Sequence, residues 1–561
     1  MSSSQDSATK FKRRATVSSL YTNYQIANGA VLPEITLQDG KDNVDSEQFF
    51  NEYIRLRKPV KLVSGSGSTQ TPVDLKAFDP SRILDTLDYS DELQIERKIN
   101  DGFGSGEKRV KMTLHKLLDV FKQGNSDYYL TTQYDFDDPD FEDSYSEKRE
   151  GERNQEDDEK ENKDSGELED DIDEEEEEED EEEEHEDDED DEDEDDEDED
   201  LPKITFNASF SDTSSVDSID MNNLRDDFLD SEDDQEPVID EDLNINQSEY
   251  EQRLKDLLQP PLTKLVNKPQ TLPIIPELFS TLIPQQINLW MGHAKSGQAS
   301  KIQLNPQDPK TYGLGKSIPG SRNGTSSGLH HDHADNLYIL VSGIKRFTLF
   351  SPADALKLYT VGTIYKIYNS GIIDYENNEF APEWKHIRDD GAMVEDVLNW
   401  RLKCDQSDST EIKSIEKQLQ SLSKQSALKL NNKDEKEDPP NFSRIPPALL
   451  HIEEFTDPEM RKKLTAFANE KFPGFLDLNS FTVWLNPGEM LYLPAGWFHE
   501  VSSFGGDDIS QSESGLHNIH IALNYWFVPP NGDSASQCYN DTYWQEDWKR
   551  TETCIAHALQ K

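Results

Sequence analysis

Cysteine and long apolar runs are both scarce in this sequence. Its three cysteines stand far apart and form no C-x-x-C pair, which argues for a reducing compartment and against a disulfide framework or a cysteine-built zinc site. No uninterrupted apolar run reaches the length that crosses a membrane, and the polar N-terminus lacks the apolar segment of a signal peptide. We therefore expect an intracellular protein with no membrane contact.

Apolar residues are few as well, at 33% of the chain, and acidic residues outnumber basic ones by 117 to 56. Residues 134–246 carry about −52 of the net charge of −61, and every residue from Asp173 to Asp200 is acidic except His185. Such a segment cannot bury enough apolar surface to offset the entropy lost on ordering. The composition predicts a mildly acidic globular protein interrupted by a long acidic disordered insert.

The acidic insert is open to two interpretations. It is either a solubilising spacer or an electrostatic attractor for a basic protein, such as a histone, a ribosomal protein or another Lys-rich partner. Direct binding of nucleic acid is disfavoured because the two chains would repel each other.

The first 29 residues form a Ser-rich tail with a basic cluster at Lys10, Lys12, Arg13 and Arg14. Such clusters are typical of solvated tails and, less often, of nuclear-import signals. The expected compartment is the nucleus or the cytoplasm, with the nucleus slightly favoured.

A histidine and an aspartate two residues apart, His330 and Asp332, begin the most informative stretch of the chain. They precede two apolar runs, Leu337 to Val341 and Phe347 to Phe350, that a short turn containing Gly343 connects. This pattern predicts a β-hairpin. Residues i and i+2 of an extended backbone project to the same face. We therefore expect the imidazole and the carboxylate to point into one cavity.

A facial triad of two histidines and one carboxylate, which holds non-haem Fe(II), needs one more histidine. His499 is the best candidate. A Pro-Gly turn, a short apolar strand from Met490 to Leu493 and a Pro-Ala-Gly turn precede it, so that it stands at the head of a further strand. A sheet closed into a barrel can bring such a residue opposite the first two.

Together these motifs resemble the jumonji-C branch of the cupin-like 2-oxoglutarate oxygenases, and its small protein hydroxylases in particular. The matching segments are L-H-x-D-x-x-x-N-L from Leu329, P-G-E-x-L-Y-L-P-x-x-W-x-H from Pro487 and I-A-L-N-Y-W from Ile521. The resemblance implies a mainly β fold with flanking helices, built on a double-stranded β-helix (jelly-roll or cupin) barrel.

The resemblance also implies the cofactors and their ligands. In that family the two histidines and the aspartate bind Fe(II), 2-oxoglutarate is the cosubstrate and O2 the oxidant. Lys345, fifteen residues after the first histidine, stands where the family has the partner of the far carboxylate of 2-oxoglutarate. His331 and His333 are expected to face away from the metal, His331 near the entrance. Further cosubstrate contacts are expected from Ser327, Asn336, Asn524 and Tyr129.

The resulting domain organisation has five parts. They are a tail (1–29), the N-terminal part of the jumonji-C domain (30–133), the acidic insert (134–246), the catalytic barrel with insertions at 293–325 and 391–445 (247–530), and a C-terminal helical tail (531–561). The first insertion is expected to be a loop at the mouth of the site. The second contains a helical apolar stripe, which indicates ordinary packing or a dimer contact, at Ile412, Ile415, Leu419 and Leu422.

Three functions stay open. The resemblance and the absence of Cys-rich zinc modules favour a hydroxylase of protein side chains. A histone or protein lysine demethylase is the alternative, with some support from the acidic insert and the basic N-terminus. The third is a non-catalytic acidic scaffold for basic proteins, against which the intact triad argues.

Overall fold

The computed structural model describes most of the chain on either side of the acidic insert. The described residues are 24–37, 44–65, 71–87, 89–98, 102–103, 109–133, 238–240, 243–294, 302–308, 311–319, 324–382, 384–404, 409–426, 438–506 and 514–560. The predicted basic cluster and nearly all of the predicted insert lie outside them. None of the described helices is both long and apolar enough to cross a membrane.

The fold is mainly β, with helices around it. The described strands are β1 Glu34–Leu37, β2 Val60–Ser64, β3 Glu92–Arg97, β4 Arg109–Thr113, β5 Tyr128–Leu130, β6 Val238–Asp240, β7 Ile245–Asn246, β8 Pro284–His293, β9 Thr325–Ser326, β10 Asp335–Ser342, β11 Ile344–Phe350, β12 Ile364–Ile367, β13 Ile373–Tyr375, β14 Phe481–Leu485, β15 Met490–Leu493, β16 Phe498–Phe504 and β17 Ile519–Phe527.

The described α-helices flank these strands. They are α1 Ser46–Phe49, which continues as a π-helical turn over Phe50–Ile54, α2 Ile83–Leu87, α3 Leu114–Lys122, α4 Gln247–Leu257, α5 Val394–Lys403, α6 Ser409–Ser426, α7 Pro447–Leu450, α8 Pro458–Lys471 and α9 Tyr543–Gln560.

Two sheets form the centre of the fold. The larger has the order β1-β2-β15-β10-β17-β8-β5-β3-β4 and the smaller the order β14-β11-β16-β9. Every residue of β10 and β17 is buried, because one face of the large sheet packs on the small sheet and the other on the helices. Tyr338 and Leu340 belong to the apolar cluster between the sheets, whereas Leu337 and Ile339 belong to the outer one. This is the predicted double-sheet cupin architecture.

The predicted hairpin is wrong, because β10 and β11 belong to different sheets. β10 pairs with β15 and β17, and β11 pairs with β14 and β16. Only Gly343 separates them, at φ +83°, and a Cβ there would lie 2.7 Å from His520 Cβ and 2.8 Å from the Phe504 carbonyl oxygen. The glycine therefore allows a one-residue passage between the sheets. A pattern of two apolar runs cannot reveal which sheet each run joins.

Regular structure resumes earlier than the predicted insert boundary at residue 246. β6 and β7 pair with each other, and Ile245 is fully buried in a small cluster with Tyr250 of α4 and Cys554 of α9. The predicted insert therefore contains a pair of short strands at its C-terminal end. The sequence missed it because two short strands among acidic residues have little apolar signal.

The apolar stripe of the second insertion lies on α6. Ile415 is buried, with 2% of its surface exposed, and α6 packs against α5. The other three stripe residues are half-buried. Intramolecular packing thus accounts for Ile415, and a dimer contact through the stripe stays a prediction.

A buried ion pair ties the N-terminal segment to the central sheet. The Arg57 guanidinium donates to both carboxylate oxygens of Asp335, one bond being 2.7 Å long. The Tyr492 hydroxyl and the Ala495 amide donate to the same carboxylate, at 2.7 and 3.0 Å. The Trp497 indole donates to the Arg57 carbonyl at 3.0 Å. Both charges are desolvated, and their hydrogen-bonding groups are satisfied, which is the condition under which a buried pair is tolerated.

We predict that Arg57→Ala lowers the free energy of unfolding by about 3–5 kcal/mol, because it leaves the Asp335 carboxylate buried and uncompensated. Lys122→Ala is the matched control, since it breaks an exposed Lys122–Asp119 pair, and should change the free energy by less than about 1 kcal/mol. Urea denaturation followed by circular dichroism measures both. Equal effects of the two substitutions would contradict the role given to the pair.

Candidate metal and cosubstrate site

Two histidines from distant parts of the sequence face each other at the rim of the small sheet. The His330 amide donates to the His499 carbonyl at 3.0 Å, and the His499 amide donates back at 2.7 Å. This reciprocal bridge lies outside the regular ladders, and it sets the two imidazole centroids 4.3 Å apart. Two side chains that the sequence separates widely are thus fixed side by side by their own backbones.

Asp332 completes the cluster. Its Oδ2 lies 3.7 Å from His499 Nε2, and one ligand atom from each of the three residues lies within 4.8 Å of the others. Asp332 precedes β10 and is not itself in a strand. A bend, held by the Gly496 amide donating to the Asp332 carbonyl at 2.8 Å, directs its carboxylate inward. The three side chains converge as predicted. The reason given for it, alternation along an extended strand, is wrong, because Asp332 is not in a strand.

The electrostatics of the cluster suit a divalent cation. Burial lowers the pKa of His330 well below its usual value, with further lowering by His499 and Lys316, so the imidazole is in the neutral form that binds metals. Burial also raises the pKa of Asp332, because the carboxylate anion loses its contact with water. A cation between the three donors would offset this unfavourable desolvation. Two imidazoles and one carboxylate are the donor set of a non-haem Fe(II) site, so the residues fit that ion.

A series of side-chain hydrogen bonds orients the Asp332 carboxylate. The Asn336 side chain hydrogen-bonds to Asp332 and lowers its pKa, in opposition to burial. The Asn524 amide donates to Asn336 Oδ1 at 3.4 Å, and the Trp290 indole donates to Asn524 Oδ1 at 2.6 Å. The structure therefore brings both predicted asparagines beside the cluster. Their contact with 2-oxoglutarate stays a prediction.

Lys345 lies inside the protein on β11, with 1% of its surface exposed. Its Nζ donates to Ser503 Oγ at 2.6 Å and lies 5.8 Å from the centroid of the Tyr129 ring. Burial, together with the charge of Lys98, lowers its pKa well below the usual value. No carboxylate forms an ion pair with it among the described residues. An anionic group beside this nitrogen would offset its desolvation, so Lys345 fits the predicted partner of a carboxylate, with Tyr129 adjacent.

The predicted cosubstrate contact Ser327 has backbone partners. Its hydroxyl accepts from the Val501 amide at 3.0 Å and donates to the Gly328 carbonyl at 2.8 Å. It thereby holds β16 beside the segment that leads to His330. Its contact with 2-oxoglutarate stays a prediction.

His331 and His333 are both buried. His331 Nε2 lies 2.5 Å from the Tyr375 hydroxyl, and His333 Nε2 lies 2.8 Å from the Ile373 carbonyl oxygen. The expectation that His331 lines the entrance is therefore wrong. Strand alternation placed its ring outside the cavity, but Tyr375 of β13 covers that side.

Sequence reasoning missed Phe442, which lies in the second insertion. Its ring stacks on His330, with centroids 4.8 Å apart and planes 12° apart, and its neighbour Asn441 donates to the His331 carbonyl at 2.7 Å. Lys316 of the first insertion places its Nζ 4.9 Å from the Phe442 ring. The second insertion therefore contacts the candidate ligand His330 directly, and the first reaches it through Phe442. A lone Asn-Phe pair after a charged stretch has no recognisable signal of this role.

A double-sheet β fold with two histidines and an aspartate converging in its interior defines a cupin-type protein with a candidate metal centre. Comparison with known families agrees, since residues 46–533 match the family described as "Cupin-like domain". The chain belongs to this cupin-like family, in its jumonji-C branch.

Two curated proteins show the likeness to that branch. "JmjC domain-containing protein 4" of Schizosaccharomyces pombe is 30% identical over 309 residues, which cover 46% of this chain and 57% of that protein. "Lysine-specific demethylase JMJ32" of Arabidopsis thaliana is 27% identical over 199 residues, which cover 35% of this chain and 37% of that protein. The similarity thus spans little more than half of the first relative and about a third of the second.

Substitution of any one ligand, as in His330→Ala, Asp332→Ala or His499→Ala, should abolish tight binding of one Fe(II) or Mn(II) ion per chain. Asn336→Ala should weaken it by about 10–100-fold, because an outer partner orients the Asp332 carboxylate. Anaerobic equilibrium dialysis with elemental analysis measures both effects. His115→Ala, on the exposed side of α3, is the control and should bind metal normally. Full metal content in the three ligand variants would refute the site.

Proposed function

We propose that this protein is an Fe(II)- and 2-oxoglutarate-dependent dioxygenase that hydroxylates a side chain of a protein substrate. The observation that supports it is the pairing of the three-residue ligand cluster with a buried lysine that forms no ion pair with any described carboxylate. When bound, the iron and 2-oxoglutarate supply, with O2, the oxidising power for attack on a C–H bond.

The residues of the chain have separate tasks in this proposal. His330, Asp332 and His499 would hold the ion on one face and leave the opposite positions open for ligands. Lys345 would bind the far carboxylate of 2-oxoglutarate through a charge-assisted hydrogen bond. Phe442, stacked on His330, shields that imidazole from water.

Protein lysine demethylation is the second candidate. The name of the Arabidopsis relative supports it, as does the acidic insert, which would attract a Lys-rich substrate. Hydroxylation has the support of the resemblance to the small protein hydroxylases. A basic protein is the partner we propose in either case, in the nucleus or the cytoplasm. The acidic scaffold without catalysis is the third candidate, and it would need neither the ligand cluster nor Lys345.

Lys345→Ala should raise the KM for 2-oxoglutarate by about 10-fold or more, because a hydrogen bond to a charged group contributes about 1.5–3 kcal/mol. The measurement is succinate formation by the iron-loaded protein at varied 2-oxoglutarate. Lys122→Ala, which removes an exposed lysine, is the control. A KM unchanged by Lys345→Ala would refute the role of the lysine, and turnover retained in Asp332→Ala would refute the oxygenase.

Capture of the substrate separates the two reactions. The His499→Ala variant should retain bound protein substrates that the intact enzyme releases. Incubation of these with the active enzyme, followed by mass spectrometry, should show the gain of one oxygen atom. The loss of a methylene unit would identify a demethylase instead. Absence of iron from the purified, iron-supplemented protein would favour the scaffold.

A further inference from the structure

A second polar side chain lies buried beside Lys345. His520, on β17, is fully buried, and neither its Nδ1 nor its Nε2 hydrogen-bonds to any described residue. Leaving a buried polar group without a partner is unfavourable, because the group loses its hydrogen bonds to water and gains none in return. A bound group that hydrogen-bonds to this imidazole would remove that unfavourable term.

The register of the large sheet directs His520 into the space between the sheets. It pairs with Gly292 of β8, which pairs in turn with Tyr129 of β5. Side chains at paired positions share one face of a sheet, and the His520 and Tyr129 rings lie 5.7 Å apart. A Cβ at Gly292 would lie 2.6 Å from an atom of each ring. The glycine thus makes room for both rings on the inner face.

The same space is bounded by Lys345. The passage residue Gly343 packs directly on His520, and Lys345 follows two residues later along β11. Thr325 adds a third group, since it pairs with Ser503, the hydrogen-bond partner of Lys345, and its hydroxyl is buried without a partner among the described residues. A lysine amino group, an imidazole and a hydroxyl therefore line one end of the interior.

The ionisable groups that act on His520 are mostly basic. Burial, Lys345, Lys98 and His293 all lower its pKa well below the usual value, so the ring is neutral and has one N–H to donate. Glu96 of β3 pairs with Tyr129 in register and is the carboxylate that faces this group from the neighbouring strand.

We propose that His520 is a second binding group for the far carboxylate of the dicarboxylate cosubstrate, to which it donates a hydrogen bond while Lys345 provides the charge. The inference rests on the function proposed above and extends it to a residue that no motif indicated. A carboxylate has two oxygens, and Lys345 already donates to Ser503. An additional neutral donor would let both oxygens be bound, and would increase the preference for a dicarboxylate over a 2-oxo acid with one carboxylate.

The test uses the full-length protein loaded with Mn(II), and calorimetric titration with two ligands. These are 2-oxoglutarate and 2-oxopentanoate, which has the same carbon chain without the far carboxylate. His520→Phe keeps a ring of similar size without its nitrogens. It should weaken 2-oxoglutarate binding about 10-fold or more, as expected for one hydrogen bond to a charged group, and leave 2-oxopentanoate binding unchanged. His520→Gln, which retains a donor, should recover part of the affinity, and His115→Phe is the surface control.

The outcomes separate the inference from the proposed function. Equal 2-oxoglutarate affinity in the wild type and in His520→Phe would overturn the role of His520 and leave the oxygenase standing. Equal weakening of both ligands would overturn it as well, because it would show a packing defect. Failure of the wild type to bind 2-oxoglutarate would overturn the proposed function itself. Metal content is measured in each sample, and if His520→Phe fails to fold, the His520→Gln result decides by the same comparison of ligands.

Discussion

The reciprocal backbone hydrogen bonds between His330 and His499 are the constraint on which the site depends. They place the two imidazoles side by side, with their centroids 4.3 Å apart. The surrounding contacts keep the two segments in register. Ser327 fastens β16 from one side, and the Arg57–Asp335 pair fastens the turn before His499 through Ala495 and Trp497. The ligand geometry is thus set by backbone hydrogen bonds and by packing, as preorganised sites require.

The one-residue connection at Gly343 explains how a short stretch of sequence contributes a strand to each of the two facing sheets. Asp332 lies just before β10 of the large sheet, and Lys345 lies on β11 of the small one. His520 of the large sheet lies close enough to Lys345 of the small sheet to interact with it electrostatically. Asp332 and Lys345 are consequently held at a fixed separation, because one short stretch of chain connects them and because the two sheets pack together.

Much of this could be predicted from the sequence, because ligand spacing and turn residues are local signals. The strand Met490–Leu493 has the predicted bounds, and the three ligands converge. Sheet membership is a long-range property, so the partners of β10 and β11 were not predictable from two apolar runs. Phe442 was missed for the same reason, since its stacking on His330 depends on how an insertion folds back. His520 could not be identified from the sequence, because the sequence does not show which buried side chains lack hydrogen-bond partners in the folded structure.

The central claim is that these three side chains hold one ferrous ion. Anomalous diffraction at the iron absorption edge, from crystals grown anaerobically with Fe(II) and 2-oxoglutarate, tests it most directly. We expect a single strong peak bonded to His330, Asp332 and His499, with 2-oxoglutarate extending from it toward Lys345. A peak elsewhere, or none at the three ligands in an otherwise ordered structure, would contradict it.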